Sequence, residues 1–109
     1  MVRWLVAFAI TQAVETPIYV RAQPGVPWPR RIAVAFGAST ITHPLVWLAP
    51  RDAFESWVGY VLVAEAFAIV VEALWLRAFG VARAGWWSLF ANAASVAIGL
   101  ALRAATGSV

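Results

Sequence analysis

The 109-residue chain is 63% hydrophobic and 12% charged, with a formal net charge of +3 and a mean hydropathy of +0.81. Soluble domains average roughly 45–50% apolar and about 25% charged residues, and small ones bury only about 60–70% of the surface their unfolded chains expose, so lipid is the expected solvent for most of this chain. All eight basic residues are Arg, set singly or in pairs between apolar runs, which excludes a phosphate-tracking nucleic-acid face; the absence of Cys excludes disulfides, thiolate metal sites and thiol catalysis.

The first apolar stretch runs from about Trp4 to Tyr19. Arg3 and Trp4–Val14 have the form of the n- and h-regions of a signal peptide, but Glu15-Thr16-Pro17 stands where a small-residue cleavage site belongs. The segment therefore reads as a retained span. Thr11, Gln12, Glu15 and Tyr19 fall on one helical face, and Pro17 frees the carbonyl of Ala13. Gln23-Pro24-Gly25-Val26-Pro27-Trp28-Pro29 is read as a non-helical connection.

The second stretch, about Ile32 to Ala49, places Ser39, Thr40, His43 and Trp47 together, and Pro44 frees the carbonyl of Thr40. Ala49-Pro50-Arg51-Asp52 ends it, and Asp52 with Glu55 reads as a capping box opening the third, Trp57–Leu76. There Glu65 and Glu72 lie two turns apart on one side, with small Ala68 between them. Gly80 and Gly85 mark the last connection. On the fourth stretch, Trp86–Leu102, residues Ser88, Asn92, Ser95 and Gly99 form a regular stripe.

Each stretch is close to the ~20 residues that cross a ~30 Å hydrocarbon core. Trp4, Trp47, Trp57, Trp75, Trp86 and Trp87 lie near their ends, where indole favours the membrane interface. Periodic strand signals are missing, and only helices or closed barrels satisfy backbone groups in lipid. The predicted fold is all-α: one domain over residues 1–109, a four-helix transmembrane bundle with short loops and antiparallel neighbours. The polar edges turn inward, and small Gly37, Ala68, Ser95 and Gly99 let the backbones approach.

The connections between spans one and two and between three and four carry Arg21, Arg30, Arg31, Arg77 and Arg83. The opposite side carries Arg3, Arg51 and Arg103 with Asp52 and Glu55. The positive-inside rule places the five-Arg loops in the cytoplasm and both termini outside. The lack of Lys and the Ala, Arg, Val and Trp richness fit a GC-rich bacterial genome, hence a bacterial inner membrane.

Three of the five acids, Glu15, Glu65 and Glu72, fall inside spans, where a central charge costs about 2.5–3.5 kcal/mol on insertion scales. Depth along the helices predicts two layers: Glu15, Glu72 and Asn92 towards the cytoplasm, and His43, Glu65 and Thr40 on the other side. No Lys or Arg lies between them. With one imidazole to serve three carboxyls, at least one Glu is expected to carry a proton at pH 7.

Four roles stay open for this cluster: structural hydrogen bonding, proton or cation binding, a divalent metal held by Glu15, His43, Glu65 and Glu72, and catalysis on a lipid-borne substrate pairing Glu65 with His43. No catalytic residue is assigned, and no cofactor beyond that divalent cation is indicated. The length, the four spans and Glu15 resemble the small multidrug-resistance transporters, which implies a proton-coupled dimer with Glu15 as its proton and substrate site. The two further acids of the third helix, and the absence of that family's Pro- and Gly-rich pattern, depart from it. The succession Glu15-Thr16-Pro17, Thr42-His43-Pro44, Glu65, Glu72, Asn92 and Ser95 is similar to small four-helix integral membrane proteins of prokaryotes, a resemblance that implies no activity. The leading expectation is proton- or cation-linked transport by a homo-oligomer in the lipid bilayer. The alternatives are a non-enzymatic subunit of a larger membrane complex and an intramembrane enzyme.

Overall fold

The computed structural model describes the backbone of residues 2–48 and 56–106, and the side chains of all these except 2–4, 7, 43–48, 57, 58 and 106. Four helices follow in order: α1 (Val2–Arg21), α2 (Trp28–Leu48), α3 (Trp57–Ala78) and α4 (Ala84–Thr106). No strand occurs among the described residues. At ~1.5 Å per residue each helix is about 30–35 Å long, and the molecule measures 43 × 26 × 22 Å.

The helices close into a ring in which α1 and α3 each pack against both α2 and α4. Pairing along α1 and α2 runs in opposite senses, from Gln12 with Thr40 through Glu15 with Ser39 to Gln23 with Arg31, as short connections between long neighbours require. The all-helical expectation is met. Among the described residues, two helices are long and apolar enough to cross a membrane, Gly59–Ala78 at mean hydropathy 1.8 and Ala84–Ala105 at 1.4. Thr11, Gln12, Glu15 and Thr16 on α1, and Arg30, Arg31 and four hydroxyl- or imidazole-bearing residues on α2, dilute the apolar content of the other two.

Local chemistry explains the helix ends. Val26 N–H bonds the Gln23 carbonyl at 3.3 Å around Pro24-Gly25, with Gly25 at φ 80°. This is a type II turn, whose third position favours Gly. The second helix starts at Trp28, four residues before its predicted start, because Pro29 falls in the first turn, where a missing N–H breaks no intrahelical bond. Trp28 therefore belongs to α2 and not to the loop. The third helix is capped by Ser56, whose Oγ accepts from Gly59 N–H at 3.0 Å, in place of the predicted Asp52–Glu55 box; those two acids lie outside the described residues. At its other end Gly80 N–H reaches the Arg77 carbonyl and Val81 N–H the Leu76 carbonyl, with Gly80 at φ 79°. That is a Schellman motif, and buried Val81 and Leu76 share its apolar contact.

The interior is made of small and polar residues. Among the described residues, six of the eleven buried apolar ones are Ala, and eight buried ones are polar or charged, among them Glu15, Ser39, Glu72, Ser88 and Asn92. Large aliphatic and aromatic side chains point outward instead, with Leu62, Leu74 and Trp86 at 66%, 61% and 72% exposure. Trp75, predicted as an interface anchor, is a packing key: its Nε1–H donates to the Val34 carbonyl at 2.9 Å. Its ring lies so close to Gly37 that an added Cβ would stand 2.7 Å from it. Gly99 has nothing within 4 Å of where a Cβ would sit, so it is not a close-approach point.

Candidate functional site

The buried polar residues converge on two carboxyl groups. Glu15 and Glu72 are each 1% exposed, and they come from α1 and α3, diagonal members of the ring. Glu72 is the main acceptor. Its Oε1 receives the Tyr19 hydroxyl at 2.6 Å and Asn92 Nδ2 at 3.2 Å, and its Oε2 receives the Thr42 hydroxyl at 2.7 Å. The three donors come from α1, α4 and α2, so one carboxyl joins all four helices.

Glu15 accepts the Ser39 hydroxyl at 2.6 Å, and its carboxyl lies beside that of Glu72. A hydrogen bond between two carboxyl groups requires a proton on one of them. Among the described residues no cation enters this cluster, so the protein neutralises it with hydroxyl and amide dipoles.

The supporting contacts hold the donors in place. Asn92 Nδ2 also bonds the Ser88 carbonyl at 2.9 Å, using the second hydrogen of its amide. Ser88 Oγ in turn donates to the Ile69 carbonyl at 2.7 Å and fixes α4 against α3. Below the cluster, Gln23 Nε2 bridges the Tyr19 carbonyl at 2.9 Å and the Arg31 carbonyl at 3.0 Å, while Arg31 Nε returns a bond to the Gln23 carbonyl. This clamp anchors the end of α1 that carries Tyr19.

The predicted lower layer of Glu15, Glu72 and Asn92 meets in one network. Of the predicted upper layer, Thr40 and Glu65 stand apart from this network. Thr40 is exposed, and its hydroxyl donates to the Phe36 carbonyl at 2.7 Å and accepts from Gln12 at 3.1 Å. Gln12 accepts from Thr16 at 2.8 Å, so these three residues form a separate strip on the outer side of the α1–α2 seam. Glu65 is half-buried and makes no hydrogen bond to another described residue; it lies within electrostatic range of Glu72. The His43 side chain lies outside the described residues. Among the described residues, no three acidic or His side chains group as a metal site.

Thr42, Ser39 and Tyr19 are the site members absent from the predicted set of site residues. Among the described residues of α2, Val34, Ala35, Ala38, Ser39 and Thr42 are the buried positions, a 3–4 spacing visible in the sequence once the Ala residues are counted as inward. No family model matches the chain, and no curated protein or solved structure matches it.

Proposed function

We propose that this chain is a four-span integral membrane protein whose Glu15–Glu72 pair binds and releases a proton in the bilayer, linking that proton to transport. The observation that carries the reading is the inverted distribution of polarity. The Glu15 and Glu72 carboxyls and the Gln12, Gln23 and Asn92 amides are sealed inside while many Leu, Val, Phe and Trp side chains cover the outside. The apolar windows of α3 and α4 are only 22% and 17% buried, unlike the core helix of a soluble protein, and such outer faces suit acyl chains. All four helices are then spans, since α1 and α2 match their neighbours in length and turn Gln12, Glu15, Ser39 and Thr42 into the same core.

Three neutral donors already fill acceptor positions on Glu72. The shared proton accordingly rests on Glu15, which donates it to Glu72. Two buried carboxyls held by hydroxyl and amide donors suit a proton as cargo. Half-buried Glu65, two turns along α3, is the nearest acid for exchange with the side away from the five Arg residues. Those residues mark the cytoplasmic end in a bacterial inner membrane, leaving both termini outside. The likeness to small multidrug-resistance transporters extends to Glu15 alone as proton and substrate site. Since four helices enclose too little space for a substrate path, a homo-oligomer is the working form.

Proton flux in vesicles tests this. Protein reconstituted with a trapped pH dye is expected to take up protons under an imposed potential, and E15Q and E72Q are expected to abolish the uptake. Identical traces for wild type, both variants and empty vesicles would refute it. A second reading, a non-enzymatic subunit of a membrane complex, draws on the complete pairing of the Glu72 network, which resembles structural glue. Partners retained during mild detergent purification would favour it.

A further inference from the structure

Two apolar grooves start from one arginine at the five-Arg end of the bundle. The first, about 480 Å³, runs between α3 and α4 from Arg77, Arg83 and Gly85 towards Ala73 and Ile69. The second, about 430 Å³, is lined by Arg83, Trp86, Trp87 and Phe90. Both lead from the charged end towards the middle of the helices, over about 10–12 Å at ~1.5 Å per residue. Arg83 is common to both.

The geometry points to a binding site for a two-chained anionic phospholipid, with its phosphate on Arg77 and Arg83 and one acyl chain in each groove. The inference rests on the membrane reading above. Charge complementarity carries it. Arg30 is already stacked on Phe79 at 5.8 Å and Arg31 on Trp28 at 5.0 Å, and Arg31 also closes the Gln23 clamp. Arg77 and Arg83 have no such engagement and no acidic partner among the described residues. Two guanidinium groups held at the mouth of apolar grooves match a lipid phosphate, a setting in which basic pockets between membrane helices hold acidic headgroups.

The backbone keeps Arg83 at this mouth. It sits at φ 57°, a left-handed conformation that a non-Gly residue rarely adopts, and its carbonyl accepts Trp87 N–H at 3.1 Å as α4 begins. The pairing commits the site to a lipid rather than a free anion, because the apolar grooves have no use for inorganic phosphate.

Quenching of Trp fluorescence by brominated lipids tests the site, with Trp86 and Trp87 as reporters beside it. In vesicles, brominated phosphatidylglycerol is expected to quench more strongly than brominated phosphatidylcholine. R77Q/R83Q is expected to lower that preference about fivefold for each Arg removed, the contribution usual for one cation near an anionic membrane surface. The charge-matched R21Q/R30Q is expected to keep the preference, and so is inorganic phosphate added at constant ionic strength. Equal quenching by the two lipids, equal losses in the two double variants, or displacement by inorganic phosphate would each overturn the site while leaving the membrane reading intact. Absence of quenching by either lipid would contradict the membrane reading itself.

Discussion

The α1–α2 pair and the α3–α4 pair have similar lengths but are joined by different chemistry. The first is stitched by polar side chains from Gln12 to Gln23: Gln12 to Thr40, Glu15 to Ser39, and Gln23 with Arg31. The second has mean hydropathies of 1.8 and 1.4 in its apolar windows, and is joined by the Ser88 to Ile69 carbonyl bond, the Asn92 to Glu72 bond and the Leu76–Val81 contact. Glu72 is where the two styles meet, since its three donors come from both pairs. The polar half thus supplies positions for hydroxyl and amide dipoles, while the apolar half supplies the low-dielectric wall that makes those dipoles matter.

Breaking the junction is expected to have the largest effect. Glu72→Ala removes the acceptor of Tyr19, Thr42 and Asn92 together. At roughly 0.6–1.7 kcal/mol for an interhelical hydrogen bond in a membrane protein, the loss is about 2–5 kcal/mol, readable by equilibrium unfolding in mixed micelles. Forcing the halves apart comes next. Gly37→Val places a side chain against the Trp75 ring, and overpacking of this kind costs about 1–3 kcal/mol.

Thr42→Val is expected to cost about 1 kcal/mol for a single bond to Glu72, whereas Thr40→Val, on the exposed strip, is expected to stay within about 0.5 kcal/mol of wild type. Equal effects at these two positions would contradict the inward face assigned to α2. Glu15→Gln sharpens the contrast between structure and function. The amide keeps a donor for Glu72 but has no proton to release, so stability is expected to change by less than about 1 kcal/mol while proton uptake disappears.

Much of the α1 face was legible, because Gln12, Glu15 and Tyr19 repeat at helical spacing among apolar residues. Asn92 and Glu72 were legible for the same reason. On α2, Ser39 was legible as an inward residue, while Thr40 faces outward and Thr42 was missed, because polar residues occupy both sides of that helix. Periodicity alone gives no preference there. The rotation is decided by the approach of Trp75 to Gly37 and by small Ala35 and Ala38 facing the core, which are tertiary facts. The early start of α2 was hidden because a run of three prolines reads as a loop, although Pro29 is harmless once it falls in the first turn.

The proton shared by Glu15 and Glu72 is the centre of this account. Infrared spectroscopy of the protein in lipid at pH 7 reads it directly, through the carbonyl stretch of a protonated carboxylic acid. Such a band, shifted by deuteration and missing in E15Q, is the expected result; a spectrum showing ionised carboxylates alone would contradict it.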